Sequence, residues 1–396
     1  MSRFGKTVLL CLALFAAWHL CATLFADAPP RPGGHSEEKK AVVSDAAGNA
    51  SGLSLAREAA VRAAAGTGRN FVVSPLSIHA ALAMVAAGAR GETRRELLGL
   101  LGSASLDELH RVPAIKLVGR LNGLKQTSFA CGVWVDRRRA LRPEFTATGA
   151  SRYAATAESV DFVSGAKQAR RRVNAFVADA TKQRIQHILP PGSVDSSTTV
   201  VLANALYFKG AWPEPFAVFT APFHTPDGTT VRVPSMTTGR SQYIALYSGF
   251  RALKLPYRND GDRSAAFYML ILLPDSASLS LSDLYDKAVS SPEFIRKHTP
   301  EEEVEGFHRR DFSGMVSGGD GRLSIGGVHH KATIEVDEQG TVAAAATATD
   351  MAGSALPSEP PHFVDFVADR PFLFAVVEER TGTTLFLGHV VNPLAN

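Results

Sequence analysis

Residues able to do covalent chemistry occur throughout this chain but are not arranged for it. Twelve histidines are scattered without metal-ligand spacing, and no intact GxSxG, HExxH, CxxC, P-loop or GxGxxG pattern occurs. Of three cysteines, Cys11 and Cys21 lie in an N-terminal apolar run. That leaves Cys131, in FACGVWV, which reads as a buried strand residue with no internal disulfide framework around it. These patterns argue against an enzyme, a metal site or a cofactor. The informative stretch is 332–350, ATIEVDEQGTVAAAATATD. A β-branched run, 332–336, leads through acidic Asp337 and Glu338 to Gly340, where the backbone can change direction. Beyond it the only large side chain is Val342. If that run is extended, one face presents Thr341, Ala343, Ala345, Thr347 and Thr349. Such a strand could slide between two neighbours already packed over a core, because it brings almost nothing to clash. The same composition also suits an alanine-rich helix or a surface linker.

The elements that must support this stretch belong to one large globular body. The chain has 396 residues, 45% of them hydrophobic and 20% charged, and a formal charge of +4. That balance is too mild to argue for nucleic acid. The basic runs 137–139 and 170–172 lack interleaved aromatics and read as solvated faces rather than polyanion sites. Residues 1–28 place Arg3 and Lys6 ahead of the apolar run 8–26, the pattern of a signal peptide. The run also reaches the lower end of membrane-spanning length. Cleavage after 26–28 and an uncleaved signal-anchor through 8–26 both fit, and either sends the body into the secretory pathway, to the cell exterior or the vacuole. A non-functional leader would leave it cytoplasmic. Residues 29–50 read as a flexible linker, with Asn49 in a glycosylation triplet, ahead of a domain spanning 51–396.

Within that domain, Ser74-Pro75 is a cap and first-turn pair for a buried helix, and the hydroxyls of Ser74 and Ser77 could bridge to a neighbouring strand. Helices are expected over 92–101 and 168–187, and strands over 129–135, 159–163, 252–258 and 265–275, with a further strand in 201–216 that ends in Gly210, Trp212 and two prolines. Asn204, inside an apolar strand, must find a partner. Many strands with interspersed helices and no βαβ rhythm indicate an α+β fold around large mixed sheets.

EVDEQGTVAAAATA, followed by FVADRPFLFAVVEERTGTTLFLGHVVNP at 366–393, resembles the serpins, and their plant serpin-Z branch in particular. The likeness covers roughly 53–393. It implies the serpin fold, with a large mixed central sheet, further sheets, surrounding helices and an exposed reactive-centre loop. It also implies inhibition of serine proteases by a monomer that forms a covalent acyl complex with its target. On this resemblance Glu338, Gly340, Thr341, Ala343, Ala345 and Thr347 form the loop's hinge. Ser74, Ser77, Asn204 and His330 form a polar cluster under the central sheet, and Trp212 lies near the top of that sheet. Counting from Gly340 puts the scissile bond at Ser354-Ala355, a small residue that suits an elastase-like enzyme; Met351, Gly353 and Ala355 are alternative donors of the carbonyl.

Two features depart from the resemblance. Most plant serpins lack a leader, and the family runs through a long strand and a helix where this chain has only GFHRR between Glu305 and Asp311. Five residues cannot hold both. A strand of the central sheet next to the hinge is therefore expected to be missing, which keeps a non-inhibitory serpin as the competing reading.

Overall fold

The structure, a computed structural model, describes residues 51–54, 56–57, 70–238, 241–259, 265–275, 279–291, 293–304, 322–324, 330–335 and 366–395. A short apolar strand, β1 (Phe71–Val73), runs into helix α1 (Pro75–Gly88). Ser74 caps that helix by accepting a hydrogen bond from the Ser77 amide, and Pro75 sets the first turn. Helix α1 is buried at Leu76, Ala80, Ala83 and Met84 and so runs through the core rather than over it. Around it pack α2 (Gly91–Leu100), α3 (Leu106–Leu109), α4 (Pro113–Val118) and α5 (Pro143–Tyr153).

Two large sheets flank this helical layer. In chain order the strands that build them begin with β2 (Thr127–Asp136), β3 (Thr156–Val160) and β4 (Val200–Lys209). A separate two-stranded ribbon, β5 (Ala217–His224) with β6 (Thr230–Thr237), precedes β7 (Gln242–Tyr247), β8 (Phe250–Pro256) and β9 (Phe267–Pro274). The remainder are β10 (Glu303–Val304), β11 (Arg322–Ser324), β12 (His330–Glu335), β13 (Phe372–Glu378) and β14 (Thr384–Val390). One sheet has seven strands in the order β1-β14-β13-β9-β8-β7-β10, every pair antiparallel. The other has five, β11-β12-β4-β2-β3, with parallel ladders at β12–β4 and β2–β3. Strands β2, β9, β13 and β14 are buried along their whole length, which is why they read as near-continuous apolar runs. The α+β reading of the sequence holds, although the largest sheet is purely antiparallel and only the five-stranded one is mixed.

Two expected elements are corrected. The strand expected over 159–163 is β3, Thr156–Val160, paired in parallel with β2. The chain turns away at 161–164 because the Asp136 carboxylate accepts the Phe162 amide and Asp161 accepts the Ser164 amide, leaving Val163 exposed. The helix expected over 168–187 is α6 (Ala166–Ala180). It stops at Thr181, and Lys182 and Gln183 adopt left-handed backbone with φ of 53° and 63°. The Gln183 amide reaches back to the Ala178 carbonyl at 2.7 Å, which closes the helix end. Ile185 and Ile188 keep a helical spacing with Val177, yet they reach the same core from a segment running back along α6. Two short helices, α7 (Leu281–Ser290) and α8 (Phe294–Lys297), cover the far face of the seven-stranded sheet.

Helix α6 lies over the five-stranded sheet and is fastened there by Glu158 of β3. The Glu158 carboxylate takes Arg172 of α6 through both oxygens, at 2.7 and 3.1 Å, and also accepts the Trp134 indole N–H of β2 at 3.1 Å. Arg172, with that indole bond, holds the Glu158 carboxyl below the usual carboxylate range. Arg137 pairs with Asp161 and Arg138 with Asp136, so both basic runs are partly matched by acids. Cys131 is fully buried, 3.9 Å from the Met84 sulfur, and burial pushes its thiol up to about 12. It is inert at neutral pH.

Candidate functional site: the seam between β4 and β12

Strand β12 pairs in parallel with β4 from His330 opposite Asn204 to Glu335 opposite Lys209. Both strands finish at the same end of the sheet. From there β4 runs on through Gly210 to Trp212, while the sequence after Glu335 continues through Asp337 and Glu338.

At the first pair of this ladder sits the expected polar cluster. Asn204 is 6% exposed, and its amide nitrogen donates to the Ser77 carbonyl at 2.6 Å. The contact from helix to strand runs through the Ser77 carbonyl, which also serves the helix ladder and offers Asn204 its second lone pair. The Ser74 oxygen accepts the Ser77 amide at 3.1 Å. The Ser77 hydroxyl is buried and has no partner among the described residues. The backbone register sets His330 directly across from Asn204. The structure thus gathers Ser74, Ser77 and Asn204 and brings the His330 backbone alongside.

At the end of the seam Trp212 is 2% exposed and stacks flat on Tyr257, with ring centroids 4.5 Å apart and planes within 10°. Tyr257 also meets Phe208 edge-to-face at 4.9 Å. A Cβ at Gly210 would overlap the Tyr257 ring, so the glycine is what admits that ring against β4. The Arg258 amide donates to the Ala211 carbonyl at 2.6 Å and closes the corner. Burial raises the Tyr257 phenol and keeps it neutral. In the sequence Gly210 reads only as the end of a strand and Tyr257 gives no signal of its own, although a glycine beside a tryptophan at a strand end could have asked for an aromatic lid.

Glu338, Gly340, Thr341, Ala343, Ala345, Thr347, Ser354, Ala355 and Asn49 lie outside the described residues, as do the apolar run 8–26 and the short segment after Glu305. Among the described residues no cluster of His, Cys, Asp or Glu could hold a metal ion, and no helix is long and apolar enough to cross a membrane.

The family model for serpin (serine protease inhibitor) matches residues 46–307 and 302–393. The chain belongs to the serpin family. This serpin is 59% identical over 389 residues to serpin-Z12 of Oryza sativa subsp. japonica, an alignment covering 87% of this chain and 90% of that one. It is 40% identical over 381 residues to serpin-ZXA of the same rice, covering 86% and 95%. It is serpin-Z-like. A solved structure, AtSerpin1 of Arabidopsis in its native stressed conformation, is similar at a TM-score of 0.75 and 31% identity, covering 90% of this serpin and all of that chain. The family is one of serine protease inhibitors, not enzymes, and its members' partner is a target protease. The two matches to the family model overlap at 302–307.

Proposed function

We propose that this serpin is a suicide inhibitor that traps elastase-like serine proteases. The protease takes the bond at Ser354-Ala355 as substrate and forms an acyl-enzyme. The cut loop then enters the five-stranded sheet between β4 and β12, carrying the enzyme with it. The polar contacts at Ser74, Ser77, Asn204 and His330 hold the two strands together until the loop parts them, and Trp212 stands where entry begins.

The observation that carries this reading is the parallel β12–β4 ladder, whose strands end together where the hinge sequence departs. A strand leaving β12 at that end and folding back would run antiparallel to both neighbours. One parallel ladder would become two antiparallel ones, which pair slightly better per residue. At about 0.5–1.5 kcal/mol per net hydrogen bond, roughly ten new bonds supply on the order of 10 kcal/mol. The small face of Thr341, Ala343, Ala345 and Thr347 suits that entry.

The chain acts as a monomer, and its leader directs it into the secretory pathway, where Asn49 is available to be glycosylated. N-terminal sequencing of the mature protein, with and without glycosidase, tests that placement. Incubation of the protein with an elastase-like enzyme tests the mechanism. A complex that survives denaturing electrophoresis, with a new N-terminus at Ala355, is the expected product; cleavage without a complex would rule trapping out.

A second reading, a non-inhibitory serpin, draws on the sheet's edge. Among the described residues only three-residue β11 flanks β12 on its outer side, and the family model matches in two separate stretches that overlap at 302–307. An edge that short stabilises β12 poorly while it slides, and the loop would then be cut without inserting.

A further inference from the structure

The segment that returns along α6 encloses a groove of about 750 Å³ that neither the seam nor the expected loop uses. Its walls are held in place by Asn174, whose side chain bonds both the amide and the carbonyl of Leu189 at 2.8 and 3.0 Å. Arg170 donates to the same carbonyl at 3.1 Å. Ala178, Pro190 and Pro191 provide apolar lining, and Arg170, Arg171 and His187 stand in the walls. No Asp or Glu lines the groove. Arg172, the next residue, is already committed to Glu158, whereas exposed Arg171 makes no hydrogen bond or ion pair with any described residue. The groove thus joins an apolar lining to uncompensated positive charge, in a volume typical of small-molecule sites.

We infer that this groove binds a small amphiphilic anion, a flat apolar body carrying one acidic head, with the body against the alanine and prolines and the head on Arg171. A guanidinium presents forked N–H donors to carboxylate, sulfate or phosphate oxygens, and such charge-assisted bonds are the stronger kind. An inorganic ion would gain only the charge and a neutral aromatic only the lining. The two halves together specify the ligand class.

Isothermal titration of the full chain with 1-naphthyl phosphate, inorganic phosphate and 1-naphthol tests this. The expected result is that 1-naphthyl phosphate binds at least about tenfold more tightly than either fragment, a difference of about 1.4 kcal/mol. Arg171→Glu, which removes no contact within the protein, should weaken it at least about tenfold with the melting temperature unchanged. Ala175→Trp, on an exposed position of α6 in the groove wall, should block it sterically without changing charge. Equal binding of inorganic phosphate or of 1-naphthol would overturn the amphiphile assignment. Absence of 1-naphthyl phosphate binding at millimolar concentration, or binding unaffected by both variants, would overturn the site.

Discussion

Asn204 and His79 show how single buried polar residues set this protein's stability. Asn204 gives its amide to a carbonyl of α1 and so ties that helix to the start of the seam. Asn204→Ala removes a buried hydrogen bond while the Ser77 carbonyl keeps its helical donor, so a loss of about 0.5–1.5 kcal/mol in urea unfolding is expected. His79 is fully buried, with its Nδ1 2.6 Å from the Ser51 hydroxyl and its Nε2 without a partner among the described residues. Burial lowers its pKa from 6.5 to about 4. Between those values the unfolded chain binds the proton and the native one does not, so stability is full above about pH 6.5 and lost as pH falls toward 4. The loss reaches about 3 kcal/mol. Unfolding free energies at pH 7.5 and 4.5 should therefore fall further for the native sequence than for His79→Gln, since the carboxylates titrate alike in both. Equal falls would mean that His79 is not held neutral.

Among the elements, β4 carries the most consequence because it is shared by the seam, the floor beneath α6 and the Trp212 corner. Its antiparallel partner β2 is buried throughout and anchors it, and Gly132 leaves room for the Trp134 ring that faces α6. At its end Gly210 admits Tyr257 against Trp212. Gly210→Ala should push Tyr257 off that stack, costing about 1–3 kcal/mol by overpacking. A shift in Trp212 fluorescence should accompany the loss, with Trp212→Phe supplying the baseline; an unchanged spectrum would mean that the ring accommodates a methyl in place. The end of α6 shows why periodicity misled over 181–187. Ile185 and Ile188 continue the apolar spacing, but the left-handed Lys182 and Gln183 have already reversed the chain, and a core accepts an apolar side chain from either direction.

For the whole molecule, the question is whether the five-stranded sheet can take a sixth strand. The expected outcome is that nicking the loop with an elastase-like protease raises the melting temperature of the chain by roughly 15 °C or more, given about 10 kcal/mol of deferred pairing. An unchanged melt would favour the non-inhibitory reading and point to the thin edge at β11. The seven-stranded sheet, antiparallel throughout and packed on both faces, should respond to neither outcome. It is the rigid frame against which β12 would move.

By itself, the sequence determined the family, the α+β class, the capped helix at Ser74-Pro75, the fate of Cys131 and the need for a partner at Asn204. Each rests on local information: a contiguous motif, a cap spacing, or a polar residue in an apolar run. Tertiary structure decided what depends on contacts between distant segments. It made the Ser77 carbonyl a partner of Asn204, because α1 brings that carbonyl's second lone pair against β4. It placed Tyr257 on Trp212 across 45 residues of sequence. It also turned the end of α6 back on itself, and so made a groove whose charge and shape no window of the sequence contains.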